Sequence, residues 1–217
     1  MSSSDRKSVE VVWHNGNVQA KDRSLLLGQR PRLTIWLTGL SAFGKLTLAF
    51  ALDRHLVDIG HACYVLNGDN LRHKLNEDLG GSCQDRTENI RRTTEVARLT
   101  NDAGLIVIAA FISPCRGRRK FVQHIIGSEH FVEIYLNTFI QVCEARDPKG
   151  LYKRARAVKI SGFTGVNDPY ESPVSPFLAI DTSSAPFKKG AEKLLSALIS
   201  RINLAESYKQ EKLENAR

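Results

Sequence analysis

A glycine-rich stretch in the first quarter of the chain has the spacing of a phosphate-binding loop. Within "TGLSAFGKLTLAF" (38–50), Gly39, Gly44 and Lys45 occupy the glycine and lysine positions of a Walker A loop. Backbone N–H groups of such a loop point at phosphate oxygens, and the lysine reaches the β- and γ-phosphates of a nucleotide. The spacing alone also occurs by chance, but its place between an apolar run and an amphipathic helix favours a genuine phosphate loop.

Two residues of this loop depart from the Walker A pattern. The position after the lysine is normally Ser or Thr, because its hydroxyl ligates the magnesium of bound ATP, and here it is Leu46. Thr47 is rotated by about 100° around the helix, so it cannot replace that hydroxyl. Ala42 destabilises the loop by about 1–2 kcal/mol if its backbone needs a positive φ. We therefore expect the loop to bind phosphate, but with an altered set of magnesium ligands.

The segment "NGDNLRHKL" (67–75) carries side chains that suit phosphoryl transfer. Asp69 can hold magnesium through water or orient an attacking hydroxyl. Arg72 can pair with a phosphate or sulfate oxygen. By itself the segment is more typical of a strand-ending turn, since Asn-Gly and Asp-Asn are strong turn formers.

Two later segments are also candidates for ligand binding. In "DRTENIRR" (85–92), Arg86 and Asn89 lie three residues apart on one helical face and can bind an anion and a base edge. In "FISPCRGRR" (111–119), the hydroxyl of Ser113 can contact a transferred group or be phosphorylated. A solvated helix face and a structural Ser-Pro turn are the corresponding alternatives.

Strands and helices alternate along the chain, and this pattern predicts the fold class. We expect an α/β protein of the P-loop NTPase type, with three layers and a five-stranded parallel sheet flanked by helices. Helix 86–103 is expected to begin after Asp85, with Glu88 completing a capping box. The predicted strands are 33–38, 63–67, 105–112, 131–136 and 178–181, and the predicted helices are 45–58, 86–103 and 187–205. Ligands of such sheets bind beyond the carboxyl ends of the strands, where the polar segments converge.

The composition excludes several classes of protein. No apolar run approaches the 20 or so residues of a membrane span, and the first ten residues, "MSSSDRKSVE", lack an apolar signal core. We therefore expect a cytoplasmic protein without a membrane segment. Its four cysteines form no C-x-x-C pair, and its net charge of +8 is spread over several loops. That spread suits a small polyanion better than nucleic acid. We expect one domain over 11–205 between polar tails at 1–10 and 206–217.

The motifs taken in order closely resemble those of the adenylyl-sulfate kinase family. The matching stretches are "GLS..GK.TLA", "GDN.RH.L..DLG", "DR.ENIRR", "AFISP.R", "EARDPKGLYK.ARA" and "FTG", and the resemblance covers about 11–205. Enzymes of this family move the γ-phosphate of ATP to the 3′-hydroxyl of adenylyl sulfate. The resemblance implies magnesium and ATP as cofactors, a functional link to ATP sulfurylase, and a homodimer.

The resemblance also implies roles for individual residues. Lys45, Asp69 and Ser113 would be catalytic; Ser113 matches the family's phosphoserine site, and Asp69 would organise magnesium through water. The lid would include Lys149 and Phe163, with the Phe163 ring stacked on the substrate adenine. The ATP site would comprise Gly39, Leu40, Ser41, Ala42, Phe43, Gly44, Lys45, Leu46 and Thr47. The adenylyl-sulfate site would comprise Asp69, Arg72, Arg86, Asn89, Ile112, Ser113, Lys149 and Phe163.

The chain departs from the family pattern near the chemistry. Beside Ala42 and Leu46, Asn67 replaces a carboxylate and Gly81 replaces a phenylalanine that would stack on the adenine. Cys115 replaces a histidine. These departures leave two hypotheses: an adenylyl-sulfate kinase with reduced turnover, and a catalytically silent nucleotide-binding protein on the same fold.

Overall fold

The computed structural model describes residues 14, 16–27, 32–183 and 192–201. Five parallel strands form one sheet in the order β2-β3-β1-β4-β5. The strands are β1 (Thr34–Thr38), β2 (Cys63–Asn67), β3 (Ile106–Ala110), β4 (Phe131–Asn137) and β5 (Leu178–Asp181). The predicted α/β class and five-stranded parallel sheet are confirmed, and each strand lies within two residues of its predicted bounds.

Helices cover both faces of the sheet. They are α1 (Ala20–Leu26), α2 (Lys45–Asp58), α3 (Gly68–Arg72), α4 (Cys83–Asp102), α5 (Arg116–Ile126), α6 (Ile140–Arg146) and α7 (Leu151–Arg156), with a 3₁₀ turn at Ser128–His130. Residues 192–201 are helical as well. The other residues of the predicted helix 187–205 and both predicted tails lie outside the described residues.

The core has two layers because β1 is buried on both faces. Ile35 and Leu37 pack in one cluster with the leucines of α2 at positions 48, 52 and 56. Trp36, on the opposite face, packs in a second cluster with Ile90 of α4 and Val122 of α5. A strand covered on both sides reads as a continuous apolar run, which is why the sequence predicted it.

The predicted start of α4 was wrong. The N-cap is Ser82, whose side chain accepts a hydrogen bond from the Asp85 backbone N–H at 3.1 Å. Asp85 returns a carboxylate to the Ser82 backbone N–H at 3.2 Å and therefore stands at the third helical position of the capping box. The Asp85–Glu88 spacing imitates a capping box, but Ser82 supplies the real one three residues earlier.

No helix in the described part of the chain is long and apolar enough to cross a membrane.

Candidate active site

The predicted phosphate loop joins the end of β1 to the start of α2. Gly39 has a φ of +148°, and a Cβ added there would meet the Leu136 carbonyl oxygen at 2.7 Å. Gly44 is the N-cap of α2 in the left-handed region, with a φ of 80°. Ala42 also has a positive φ, 58°, so the condition for strain at this alanine is met. The loop brings its backbone to the N-terminus of a 14-residue helix, where N–H groups favour an anion.

Lys45 is folded back onto its own loop. Its Nζ donates hydrogen bonds to the carbonyl oxygens of Gly39, at 2.9 Å, and Leu40, at 2.7 Å. Burial lowers the pKa of Lys45 from 10.5 to about 8, against the opposing influence of the nearby Cys143 and Asp69 side chains. The ammonium is therefore a poorly hydrated cation at the centre of the loop, where an added negative charge would stabilise it.

The part of the phosphate loop where magnesium would bind offers few metal ligands. Leu46 is 37% exposed at the start of α2 and has no side-chain oxygen. Within the described residues, no group of three or more His, Cys, Asp or Glu side chains is arranged to hold a metal ion. Magnesium commonly keeps several waters and binds phosphates plus one or two carboxylates. The residues present fit that arrangement through Asp69, whose charge acts on Lys45.

Asn67 keeps one hydrogen-bond acceptor of the carboxylate that it replaces and lacks the other. Its Oδ1 accepts a hydrogen bond from the Asn70 backbone N–H at 2.9 Å and caps α3. Its Nδ2 is buried and has no hydrogen-bond partner in the described structure. An aspartate would place a second acceptor there, so the substitution exchanges an acceptor for a donor.

Asp69 and Lys149 form an ion pair that joins α3 to the segment between α6 and α7. Both side chains are more than half exposed. Asp147 holds this segment, because its carboxylate accepts hydrogen bonds from the backbone N–H groups of Leu151, at 2.8 Å, and Lys153, at 3.0 Å. The structure thus brings together two predicted site residues that are 80 positions apart.

The two predicted substrate-binding arginines are half-buried and bind acceptors of the protein itself. Arg72 Nη1 donates to the carbonyl oxygens of Leu79, at 2.8 Å, and Gly80, at 2.7 Å. Arg86 Nη1 donates to the Gly162 carbonyl oxygen at 2.7 Å, and Arg86 forms an ion pair with Asp168. Arg86 therefore connects α4 to the predicted lid.

Residues 161–168 surround Phe163, one of the two predicted lid residues, and this segment, the lid, contacts the phosphate loop. Phe163 contacts the Tyr152 ring edge-on at 5.0 Å between centroids, and the Tyr152 hydroxyl donates to the Ser41 carbonyl oxygen at 3.0 Å. A Cβ added at Gly165 would meet the Leu40 side chain at 2.8 Å. The lid therefore contacts the phosphate loop directly and also through Tyr152 of α7.

Ser113 is almost fully buried. It is 3% exposed, has a φ of 40°, and its Oγ accepts a hydrogen bond from Trp36 Nε1 at 3.0 Å. The Ser113 hydroxyl donates to Thr38 Oγ1 at 2.9 Å, and the Thr38 hydroxyl donates to the Ile112 carbonyl oxygen at 2.8 Å. The hydroxyl is thus committed to internal hydrogen bonds in this conformation, and its predicted catalytic role stays a prediction.

Sequence reasoning missed the side chain that holds this strained turn. Arg119 is 3% exposed and donates to the carbonyl oxygens of Ser113 and Glu171, both at 2.6 Å. Its Nε donates to Glu133 Oε1 at 2.6 Å, and its guanidinium lies 5.7 Å from the centre of the Tyr170 ring. In the sequence Arg119 is one of three arginines within four positions, and only tertiary contacts distinguish it.

A cleft of about 610 Å³ lies beside the phosphate loop. Of the predicted site residues, only Leu40 and Phe43 line it, so it does not include the edge that carries Asp69. Its lining is Leu40, Phe43, Tyr135, Thr138, Ile140, Gly165, Val166, Asn167, Asp168, Pro169, Tyr170 and Ser172.

Known proteins share both the sequence and the fold. The family model described as Adenylylsulphate kinase matches residues 31–181. Adenylyl-sulfate kinase of Shewanella pealeana is 47% identical over 207 residues, which cover 95% of this chain and 98% of the relative. Adenylyl-sulfate kinase of Vibrio cholerae is 48% identical over 197 residues, 91% of each chain.

Solved structures agree with this assignment. The APS kinase of Mycobacterium tuberculosis, solved in complex with AMPPNP and APS, has a TM-score of 0.73 and 41% identity, covering 78% of this chain and 98% of that one. A gluconokinase from Sinorhizobium meliloti, at 16% identity and a TM-score of 0.53, shares the fold alone. By its sequence, its sheet order and its phosphate loop, this chain belongs to the adenylylsulphate kinase family.

Proposed function

We propose that the chain transfers the γ-phosphate of ATP to the 3′-hydroxyl of adenylyl sulfate. The observation that carries this proposal is the meeting of three remote segments at one sheet edge: the phosphate loop around Lys45, the Asp69–Lys149 pair, and the contact of Arg86 with the lid. The family assignment supplies the two substrates. Products would be ADP and 3′-phosphoadenylyl sulfate.

The phosphate loop would bind the donor. Backbone N–H groups of residues 39–45 would hold the β- and γ-phosphates, and Lys45 Nζ would leave the Gly39 and Leu40 carbonyl oxygens for phosphate oxygens. Magnesium, when bound, would supply positive charge that offsets the negative charge of the transferred phosphoryl group. Asp69 is the carboxylate that would hold it, through water.

The acceptor would lie on the opposite side of the transferred phosphoryl group. Asp69 would orient the 3′-hydroxyl and accept its proton as the new O3′–P bond forms and the bond to the β-phosphate bridging oxygen breaks. Arg72, Arg86 and Asn89 would bind the sulfonucleotide, together with the backbone at Ile112, and Phe163 would stack on its adenine. Substrate oxygens would then replace the carboxylate and carbonyl partners that the arginines now have.

A coupled assay tests the proposal directly. With ATP, magnesium and adenylyl sulfate, the wild-type chain should release ADP, and Lys45→Ala should lower kcat/KM at least a hundredfold. Lys74→Ala is the matched control, since the Lys74 side chain is 92% exposed. The absence of ADP release by the wild-type chain at saturating substrates would refute the proposal.

A silent nucleotide-binding protein is the second candidate. It is favoured by Leu46, which offers no metal ligand, and by the unpartnered Nδ2 of Asn67. Calorimetric titration of ADP and adenylyl sulfate with and without magnesium separates the two. A silent binder takes up ligand with little dependence on the metal, whereas an active kinase shows strong enhancement.

Partners and location follow from the same proposal. The four cysteines are free thiols, as expected for the cytoplasm, where ATP is available. Adenylyl sulfate must come from a reaction that joins sulfate to the adenylyl group of a nucleotide, the reaction of ATP sulfurylase. A homodimer is proposed on the family resemblance, and sedimentation equilibrium tests it. Nucleic acid is not proposed as a ligand.

A further inference from the structure

Asn76, which sequence reasoning overlooked, is fully buried and contacts Asn89, one of the predicted substrate-binding residues. It lies in the turn between α3 and α4 and has 0% exposure. Its backbone N–H donates to the Leu71 carbonyl oxygen at 2.8 Å, and its carbonyl accepts from the Leu79 N–H at 3.1 Å. Its side-chain Nδ2 donates to Asn89 Oδ1 at 2.7 Å. Its own Oδ1 is buried without a partner in the described structure.

The turn that carries Asn76 is held rigidly against α4. Arg92 of α4 donates to the Leu75 carbonyl oxygen at 3.1 Å and forms an ion pair with Asp78. These contacts on both sides of Asn76 therefore fix the position of its backbone relative to α4.

The hydrogen bond from Asn76 determines what Asn89 can offer to a ligand. With its Oδ1 occupied, Asn89 has only its Nδ2 donor left, which makes no hydrogen bond within the described residues. Asn89 is 6% exposed and follows Arg86 by three residues on the same helical face. A side-chain amide turned by 180° has nearly the same shape but presents an acceptor, so a fixed partner is needed to select one orientation.

We propose that Asn76 is a positioning residue that fixes the Asn89 amide so that Nδ2 donates to an acceptor atom of the sulfonucleotide. This inference rests on the proposed function. In the opposite orientation of the Asn76 amide its Nδ2 would be the buried atom without a partner, so donating to Asn89 sacrifices no additional hydrogen bond.

Substitution by a carboxylate reverses the amide. In Asn76→Asp the new side chain only accepts, so Asn89 must turn its Nδ2 inward and present Oδ1 to the substrate. The KM for adenylyl sulfate should rise at least tenfold, while the KM for ATP stays within twofold. Asn89→Asp, which keeps the hydrogen bond from Asn76 but removes the donor, should give the same split.

A second pair of variants keeps the test valid if the buried carboxylate prevents folding. Asn76→Ala buries no charge and leaves the Asn89 amide free, so the KM for adenylyl sulfate should rise at least threefold. In an Asn89→Ala background the same change should add less than twofold, because Asn76 then has nothing to orient. An equal rise in both KM values, or a full additional effect in the Asn89→Ala background, overturns the inference.

Titration of the wild-type chain with adenylyl sulfate distinguishes a failure of the proposed function from a failure of the role inferred for Asn76. If the wild-type chain neither binds nor phosphorylates it, the proposed function fails, and the inference falls with it. If the wild-type chain binds it and the variants show no split in KM, only the inference is overturned.

Discussion

Arg119 Nε lies 2.6 Å from Glu133 Oε1, and both side chains are largely shielded from water, at 3% and 19% exposure. The remaining guanidinium nitrogens bind two backbone carbonyl oxygens, so every part of this cation has an acceptor. The pair joins β4 to the turn at Ser113 and to the segment at Glu171. It therefore holds together the parts of the chain that surround the end of β3.

Removing one member of this pair should be strongly destabilising. Arg119→Met leaves a carboxylate and two carbonyl oxygens unpaired, and we expect a loss of about 3–5 kcal/mol in the free energy of unfolding. Arg91→Met is the control, because its ion pair with Glu88 is exposed and should contribute less than about 1 kcal/mol. Urea unfolding of both variants measures the difference. Equal losses in the free energy of unfolding would contradict the inference that Arg119 stabilises the fold through its buried ion pair.

Ala42 should be a source of strain in the phosphate loop. Its φ of 58° is unfavourable for any residue with a Cβ, so Ala42→Gly should raise the free energy of unfolding by about 1 kcal/mol, even after the added entropy of the unfolded chain. Ala51→Gly, on the exposed face of α2, should lower it by about 0.5–1 kcal/mol. Opposite signs in the two variants, measured by thermal unfolding, are the expected result.

Much of the fold was predictable because its signals are local. The apolar run of β1 is buried on both faces, and the leucines of α2 have helical spacing, so each element was visible in a short window. The start of α4 was missed because Asp85 and Glu88 have the spacing of a capping box. The pair that caps the helix reciprocally is Ser82 and Asp85, three residues earlier.

The candidate site was predictable only in part. Lys45 and Asp69 belong to motifs, so the sequence could nominate them as candidates, but the ion pair of Asp69 with Lys149 spans 80 residues and has no local signal. Arg119 and Asn76 were missed because nothing in the sequence marks them as buried, while their neighbours Arg118 and Glu77 are exposed. Such side chains act through contacts that exist only after folding.

Restoring the hydroxyl beside the phosphate-loop lysine should restore a metal ligand. Because Leu46 is 37% exposed, Leu46→Ser should lower the free energy of unfolding by only about 1 kcal/mol. We expect kcat to rise at least tenfold and the affinity for ADP to depend more steeply on magnesium. Leu46→Ala, which removes the same bulk without adding an oxygen, is the control. A similar gain in both variants would show that bulk, and not ligation, limits turnover.

An aromatic ring at position 81 should strengthen acceptor binding. Gly81 is exposed, its φ lies outside the left-handed region, and an added Cβ meets no atom within 4 Å, so Gly81→Phe should fold normally. A stacked adenine is worth about 1–3 kcal/mol, which corresponds to a fall of roughly 5- to 150-fold in the KM for adenylyl sulfate. Gly81→Leu should give a much smaller change. An unchanged KM in Gly81→Phe would show that the adenine does not reach this position.

Lys45 should take up a proton when a nucleotide binds at alkaline pH. In the free protein burial lowers its pKa to about 8, so the amine is protonated at pH 7 and largely neutral at pH 9. Phosphate charge favours the ammonium and raises the pKa, so binding above pH 8 must draw a proton from solvent and the affinity must fall as the pH rises through 8. Calorimetric titration of ADP in two buffers with different ionisation enthalpies measures that proton.

The Lys45→Arg variant is the control, because its side chain keeps its charge throughout. The excess proton uptake of wild type over this variant should be near zero at pH 7 and should approach one proton at pH 9. Equal uptake by the two proteins at pH 9 would mean that the buried amine is already charged, or that it does not reach the phosphates.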